Sequence, residues 1–176
     1  MKNQIKRAWY ICQKDLRAYY LKPPLISWGL MFPTAMALAF YLRNPGDISG
    51  VIPGLIGITL LFGATSTEAV VITFEKRIGA LERLAMAPVS PAAILLGKVA
   101  SGAILGLGLG IVVTAAGLPL ANADAFSLGK ICSLLLTLLL GALVFSSLGA
   151  FISVAVREGF DAMTLANYFR FPMLFL

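Results

Sequence analysis

"EKRIGALERLAMAPVSPAAILLGK", residues 75 to 98, is a charged interruption in an otherwise oily chain. It carries Glu75, Lys76, Arg77, Glu82, Arg83 and Lys98, and it holds Pro88 and Pro91. Ile78, Leu81, Leu84 and Ala85 recur at three- and four-residue steps, with Glu82 and Arg83 off that face. That spacing predicts a short amphipathic helix over 78–87. A proline disfavours helix at the residue before it, so Ala87 ends the helix ahead of Pro88. Ser90 then caps a new helix with Pro91 in its first turn. A short amphipathic helix, a proline break and a capped restart are therefore written into one stretch.

The surroundings say where this helix sits. The chain has 176 residues, 59% hydrophobic and 12% charged, with a mean hydropathy of +0.90. The charged share is about half that of a soluble domain, and a core this small could not hide so much apolar surface. The class is an all-α integral membrane protein. The net charge of +6 does not point to nucleic acid. Six of the fourteen basic residues (Lys2, Lys6, Arg7, Lys14, Arg17 and Lys22) precede the first apolar run, as in a cytoplasmic flank facing anionic lipid. Cys12 and Cys132 make no framework, and without histidine there is no zinc site or His-based triad; no metal site is expected. A cleaved signal peptide fits poorly, because residues 1–24 are too long for its basic region and the apolar run continues through Phe40, Tyr41 and Leu42.

Residues 4–21 place Ile5, Ala8, Trp9, Cys12, Leu16 and Tyr19 on one helical face and Lys6, Lys14 and Arg17 largely on the other. This amphipathic, aromatic-rich helix suits the headgroup region, and Pro23-Pro24 ends it. Membrane helices are expected at 25–42, 51–74, 99–120 and 131–156, with the start of a fifth at 162–176, interrupted by Arg170. Pro33 predicts a kink in the first span. Polar turns fall at 43–47 and 121–126. Glu68 lies inside the second span and has two readings: a carboxylate at the inner interface, or one facing an inner vestibule or a partner helix. Gly102, Gly106 and Gly110, with Gly108 between, form a helix-packing face, as do Ala142, Ser146 and Ala150. "GLGLG" resembles part of a dinucleotide loop, but no strand precedes it.

Basic residues fix the orientation. The N-terminal flank, residues 75–98 and Arg157 hold eleven; the opposite loops hold Arg43 and Lys130, beside Asp47 and Asp124. The N-terminus is expected in the cytoplasm, and the 75–98 segment becomes the largest inner loop.

Glu75, Arg77, Gly79, Leu81, Glu82, Leu84, Pro88, Val89, Ser90, Gly97 and Lys98 resemble the signature of the type-2 ABC transporter permeases, with Ala80 and Ala87 where that family often has threonine. The resemblance covers almost the whole chain. It implies a connecting helix at 4–21, six membrane helices, and a coupling helix at 78–87 between the second and third, docked on a cytoplasmic ABC ATPase. Glu75, Arg77, Gly79, Leu81, Glu82, Leu84 and Pro88 would then carry ATPase coupling. It further implies a multi-pass plasma (inner) membrane exporter of drug, lipid or glycan-like cargo. Two permeases, as a homo- or heterodimer in membrane lipid, would work with two ATPases that hold ATP and Mg; the chain itself has no G-x-x-x-x-G-K-[ST]. Beside the family's six helices, this chain looks C-terminally truncated, and an inactive truncated permease stays among the readings.

Two other classes fit the residues less well. A membrane enzyme needs clustered acids, or a nucleophile with its base, at membrane depth, and Glu68 stands alone. A secondary transporter or channel needs several intramembrane ionisable groups or broken helices, and beyond Glu68 and Pro33 there is little.

Overall fold

A computed structural model describes residues 2–43, 49–117 and 128–175. The turn expected at 121–126, all but Arg43 of that at 43–47, residues 118–120 of the third expected span and Leu176 lie outside the described residues. Within them, the regular elements are all helical. Helix α1 (Lys2–Asp15) runs into a π-helical turn, Leu16–Tyr20. Then come α2 (Pro23–Arg43), a 3-10 turn (Ser49–Val51), α3 (Ile52–Arg77) and the short α4 (Ala80–Met86). Helices α5 (Pro91–Gly117), α6 (Leu128–Ala155) and α7 (Gly159–Phe175) complete the described chain. Four of these, α2, α3, α5 and α6, are long and apolar enough to cross a membrane.

Several boundaries differ from the sequence expectation for local reasons. Helix α5 begins at Pro91, as Ser90-Pro91 predicts, with the Ser90 hydroxyl accepting the Ala93 N–H at 3.2 Å, and it runs unbroken through Lys98 into the span expected from Val99. Helix α3 continues past Phe74 to Arg77, since Glu75 and Lys76 find partners there. Between α3 and α4 the chain turns at Gly79, whose φ of 67° is left-handed and open to glycine at little cost, so α4 starts at Ala80 and not at 78. Helix α2 runs through Pro33 without ending.

Helix α3 is the axis of the bundle. Helices α2, α5, α6 and α7 all pack on it, and most of its length is buried. Three of its hydroxyls bond within the helix, while that of Thr65 is buried without a partner. Thr59 donates to the Leu55 carbonyl at 2.7 Å, Thr73 to that of Ala69 at 2.6 Å, and Thr67 to that of Gly63. Bonding one turn back satisfies a polar side chain within its own helix, where no water competes. The small-residue faces meet at this axis. A side chain at Gly106 would run into Ala64, and one at Gly110 would press on Leu60 and Leu138. Backbones can approach closely only because those positions lack a Cβ. Helices α2 and α6 are mostly exposed, and what they expose is apolar: Met31, Leu38, Leu135, Leu136, Leu140 and Val144. A bilayer would cover that surface.

Candidate functional site

At the end of the bundle where α3 gives way to α4, the two charged ends of the 75–98 stretch come together. The Lys98 ammonium, on α5, donates to Glu75 at the end of α3 and, at 2.7 Å, to Asp15 at the end of α1. Lys14 closes the cluster from outside, 2.8 Å from Glu75 and 2.8 Å from Asp15. Asp15, Glu75 and Lys98 are buried, whereas Lys14 is half exposed. Two carboxylates and two ammonium groups make the cluster neutral. That balance is what allows it to sit in an apolar bundle, because removing one partner strands a desolvated charge at a cost of about 3–5 kcal/mol.

Gly97 explains how α1 reaches this point. A Cβ there would lie 2.7 Å from the Ala8 carbonyl oxygen and 2.9 Å from the Ile11 Cβ. The bare glycine lets α1 lie directly on α5, burying Ala8, Ile11 and Cys12 along with Asp15. Gly97-Lys98 is thus a crossing point followed by the charge that locks it. Gln4 adds a second link, accepting the Ser90 N–H at 3.2 Å. The neighbouring residue on α3, Lys76, reaches the other way. Its ammonium donates to the Ser153 carbonyl and, at 3.4 Å, to that of Val156, capping the free carbonyls at the end of α6. The last turn of α3 therefore grips α1, α5 and α6 at once.

One layer deeper, Glu68 is fully buried and accepts a hydrogen bond from the Tyr20 hydroxyl. It faces neighbouring helices rather than open space. A Cβ at Gly102 would collide with its carboxylate and with the Ser146 hydroxyl, and one at Gly149 would come 2.8 Å from its Cβ. Ser146 in turn donates to the Val99 carbonyl at 2.9 Å. Gly102 and Ser146 are thus the walls of a carboxylate pocket as well as packing positions. Ala150, close by on α6, is buried as well.

Helix α4 itself buries nothing. Leu81 and Leu84 are half buried, Glu82, Arg83 and Ala85 are exposed, and Met86 and Ile78 are 80% and 44% exposed. Arg77 and Pro88 are exposed on either side of it, and the Arg83 guanidinium bonds back to the Ile78 carbonyl at 3.2 Å. So the 75–98 residues divide in two. Glu75, Lys76, Gly97 and Lys98 are structural ties inside the bundle; Ile78, Leu81, Leu84 and Met86 present an apolar edge outside it.

Asp15 and Tyr20 were missed as site residues. The signal for Asp15 was present: it is the sole acid in the basic N-terminal flank, and it follows Ala8 and Cys12 on the apolar face. Nothing in the sequence paired Tyr20 with Glu68, because a π-helical turn sets the direction of that tyrosine.

A bundle of apolar helices around a threonine-rich axis, with an exposed short helix held by buried ion pairs, defines a multi-pass membrane protein. The chain matches the family described as ABC-2 type transporter over residues 6–176, and it belongs to that family. It is an ABC transporter permease, the membrane component of such a system. Comparison with curated proteins and with solved structures gave no match.

Proposed function

We propose that this permease works as the membrane subunit of an ATP-driven exporter and that α4 is its coupling helix. The observation that carries the reading is the division of the 75–98 stretch into an apolar edge, exposed at Ile78 and Met86 and half buried at Leu81 and Leu84, and a buried set of ties. An apolar edge on a short helix that buries nothing asks for a partner. The ties at both ends of the same stretch mean that a force on α4 is felt by α3 and α5 directly, by α1 through Lys98–Asp15, and by α6 through Lys76. An ATPase subunit gripping α4 would supply differential free energy between two packings of the bundle, and α4 would carry it.

In this reading the basic end faces the cytoplasm of a plasma (inner) membrane, as the excess of basic residues there favours. Helix α1, with Ile5, Trp9 and Tyr10 exposed beside Lys6, lies at the lipid interface as the connecting helix. ATP and Mg belong to the ATPase subunit, and a second permease, identical or related, completes the assembly. The cargo is a drug, lipid or glycan-like molecule.

The test is capture of an ABC ATPase subunit by the tagged permease after co-expression. Leu81→Asp with Leu84→Asp should abolish capture while leaving membrane insertion intact. Capture at the wild-type level would sink the reading.

A further inference from the structure

Arg170 is a buried cation that neither α4 nor the charge cluster uses. It is 2% exposed and lies on α7 against α3. Its guanidinium carbon is 5.0 Å from the centroid of the Phe62 ring, and Phe62 is stacked on Phe32 of α2 at 4.2 Å. Phe62 lies about 15 Å along α3 from its start at Ile52, so this cation sits near mid-bilayer. One nitrogen, Nη1, donates to the Asn167 side chain at 3.2 Å. The other two, Nε and Nη2, are buried without a hydrogen-bond partner. Among the described residues no carboxylate pairs with it.

The identity of the two free donors matters. Nε–H and Nη2–H lie side by side along one edge of the guanidinium, the fork that meets two oxygens of a carboxylate or phosphate. The donor that is used is the one outside that fork. Phe62 and Asn167 therefore hold the group while leaving its bidentate edge unpaired. An apolar cavity of 140 Å³ lies further along the same helices, between α2, α3 and α7, lined by Leu25, Ser66, Val70 and Met163 among others but not by Arg170, Phe62 or Phe32. Met163 is two turns before Arg170 on α7, and Ser66 is one turn from Phe62 on α3. An apolar cavity of about this size holds one six-membered ring. A charged side chain at membrane depth that faces the bundle interior marks, by default, a path for substrate or ions.

We propose that Arg170 is an anion-binding group on the cargo path, and that the cargo class is a small apolar molecule bearing one carboxylate or phosphate. The oxyanion takes the Nε/Nη2 edge, and the apolar body extends past Phe62 toward the cavity. This rests on the reading of the chain as a permease. A carboxylate from another protein chain fits less well, because the guanidinium is buried within the bundle.

The test uses the full 176-residue chain in phosphatidylcholine nanodiscs. Fluorine NMR follows binding of 4-(trifluoromethyl)phenylacetate and of its neutral amide. Wild type should prefer the carboxylate by about tenfold or more. Arg170→Gln should lose that preference while still binding the amide. Arg170→Lys, which keeps the charge without the fork, should retain only part of it. Equal affinity for the two probes in wild type overturns the proposal, as does an unchanged preference in Arg170→Gln. Should Arg170→Gln fail to fold, an unchanged preference in folded Arg170→Lys overturns the bidentate assignment. Adding phosphatidic acid to the nanodiscs separates the sources. Competition supports the site with a lipid headgroup as its ligand; absence of competition supports it with a free acid. ATPase capture does not involve Arg170, so loss of the anion site with capture intact sinks this proposal alone.

Discussion

Glu75 and Lys98, twenty-three residues apart at the two ends of the segment that carries α4, meet in a buried ion pair that Asp15 shares. The stretch that interrupts an oily sequence with charge is thereby a closed loop. Its ends are pinned to each other and to α1, and only its middle is free to meet a partner.

Breaking that closure should be costly. Lys98→Met leaves Asp15 and Glu75 buried beside each other with only the half-exposed Lys14 to balance them. We expect a loss of about 3–5 kcal/mol in denaturant unfolding from mixed micelles. Adding Glu75→Gln to Lys98→Met should cost less than the sum of the two single changes, because the pair is coupled. Strict additivity would mean that the contact contributes nothing.

The glycines of α5 should respond unequally to the same substitution. At Gly102 a methyl group overlaps the Glu68 carboxylate and the Ser146 hydroxyl, so Gly102→Ala should destabilise by about 1–3 kcal/mol. At Gly108 nothing lies within 4 Å of an added Cβ, and Gly108→Ala should stabilise the helix by about 0.5–1 kcal/mol. Thermal unfolding of the two variants side by side checks this, and equal shifts would contradict the assignment of the packing face.

Alkaline pH should loosen the N-terminal attachment. Burial, and then the Glu68 carboxylate beside it, pushes the Tyr20 phenol well above its usual 10.0. Burial works against the charge on Lys14, but its contacts with Asp15 and Glu75 outweigh that and hold its pKa above 10.5. Both groups keep their protons longer in the folded chain than in the unfolded one. Their contribution to stability is therefore complete below about pH 10 and is lost as pH rises through the folded values. The melting temperature should fall above that pH, and Tyr20→Phe with Lys14→Met should flatten the slope. An identical slope in the double variant would show that these groups do not hold α1.

Hydropathy and helix signals made the membrane helices and α4 legible, because each depends on local pattern. Ser90-Pro91 and the glycine stripe could be read for the same reason, whereas Gly79 was placed inside the helix that it precedes. The charge cluster could not, since it joins residues from three helices and depends on how α1 crosses α5 at Gly97. Read along the chain, Glu75 and Lys98 looked like the rims of a wet loop; in the fold they are buried, because each supplies what the other lacks. Glu68 shows the same limit. Its position in a span was plain, but its partner Tyr20 comes from a turn whose geometry no periodicity predicts.

With α4 as the coupling helix, force on it should travel through the buried pairs into the bundle. Cys132 is exposed and Cys12 is buried, so Cys132→Ser clears the surface for spin labels at Met86 on α4 and Val154 on α6, both exposed. Double electron–electron resonance on the complex with its ATPase, with and without ATP and Mg under non-hydrolysing conditions, reads the distance between them. In the Lys98-intact protein that distance should change by about 2 Å or more on nucleotide binding. In Lys98→Met it should not change, although the ATPase remains bound. An equal nucleotide-driven shift in both proteins would show that α4 moves the bundle by some other route, and would contradict the role assigned to the Glu75–Lys98–Asp15 cluster.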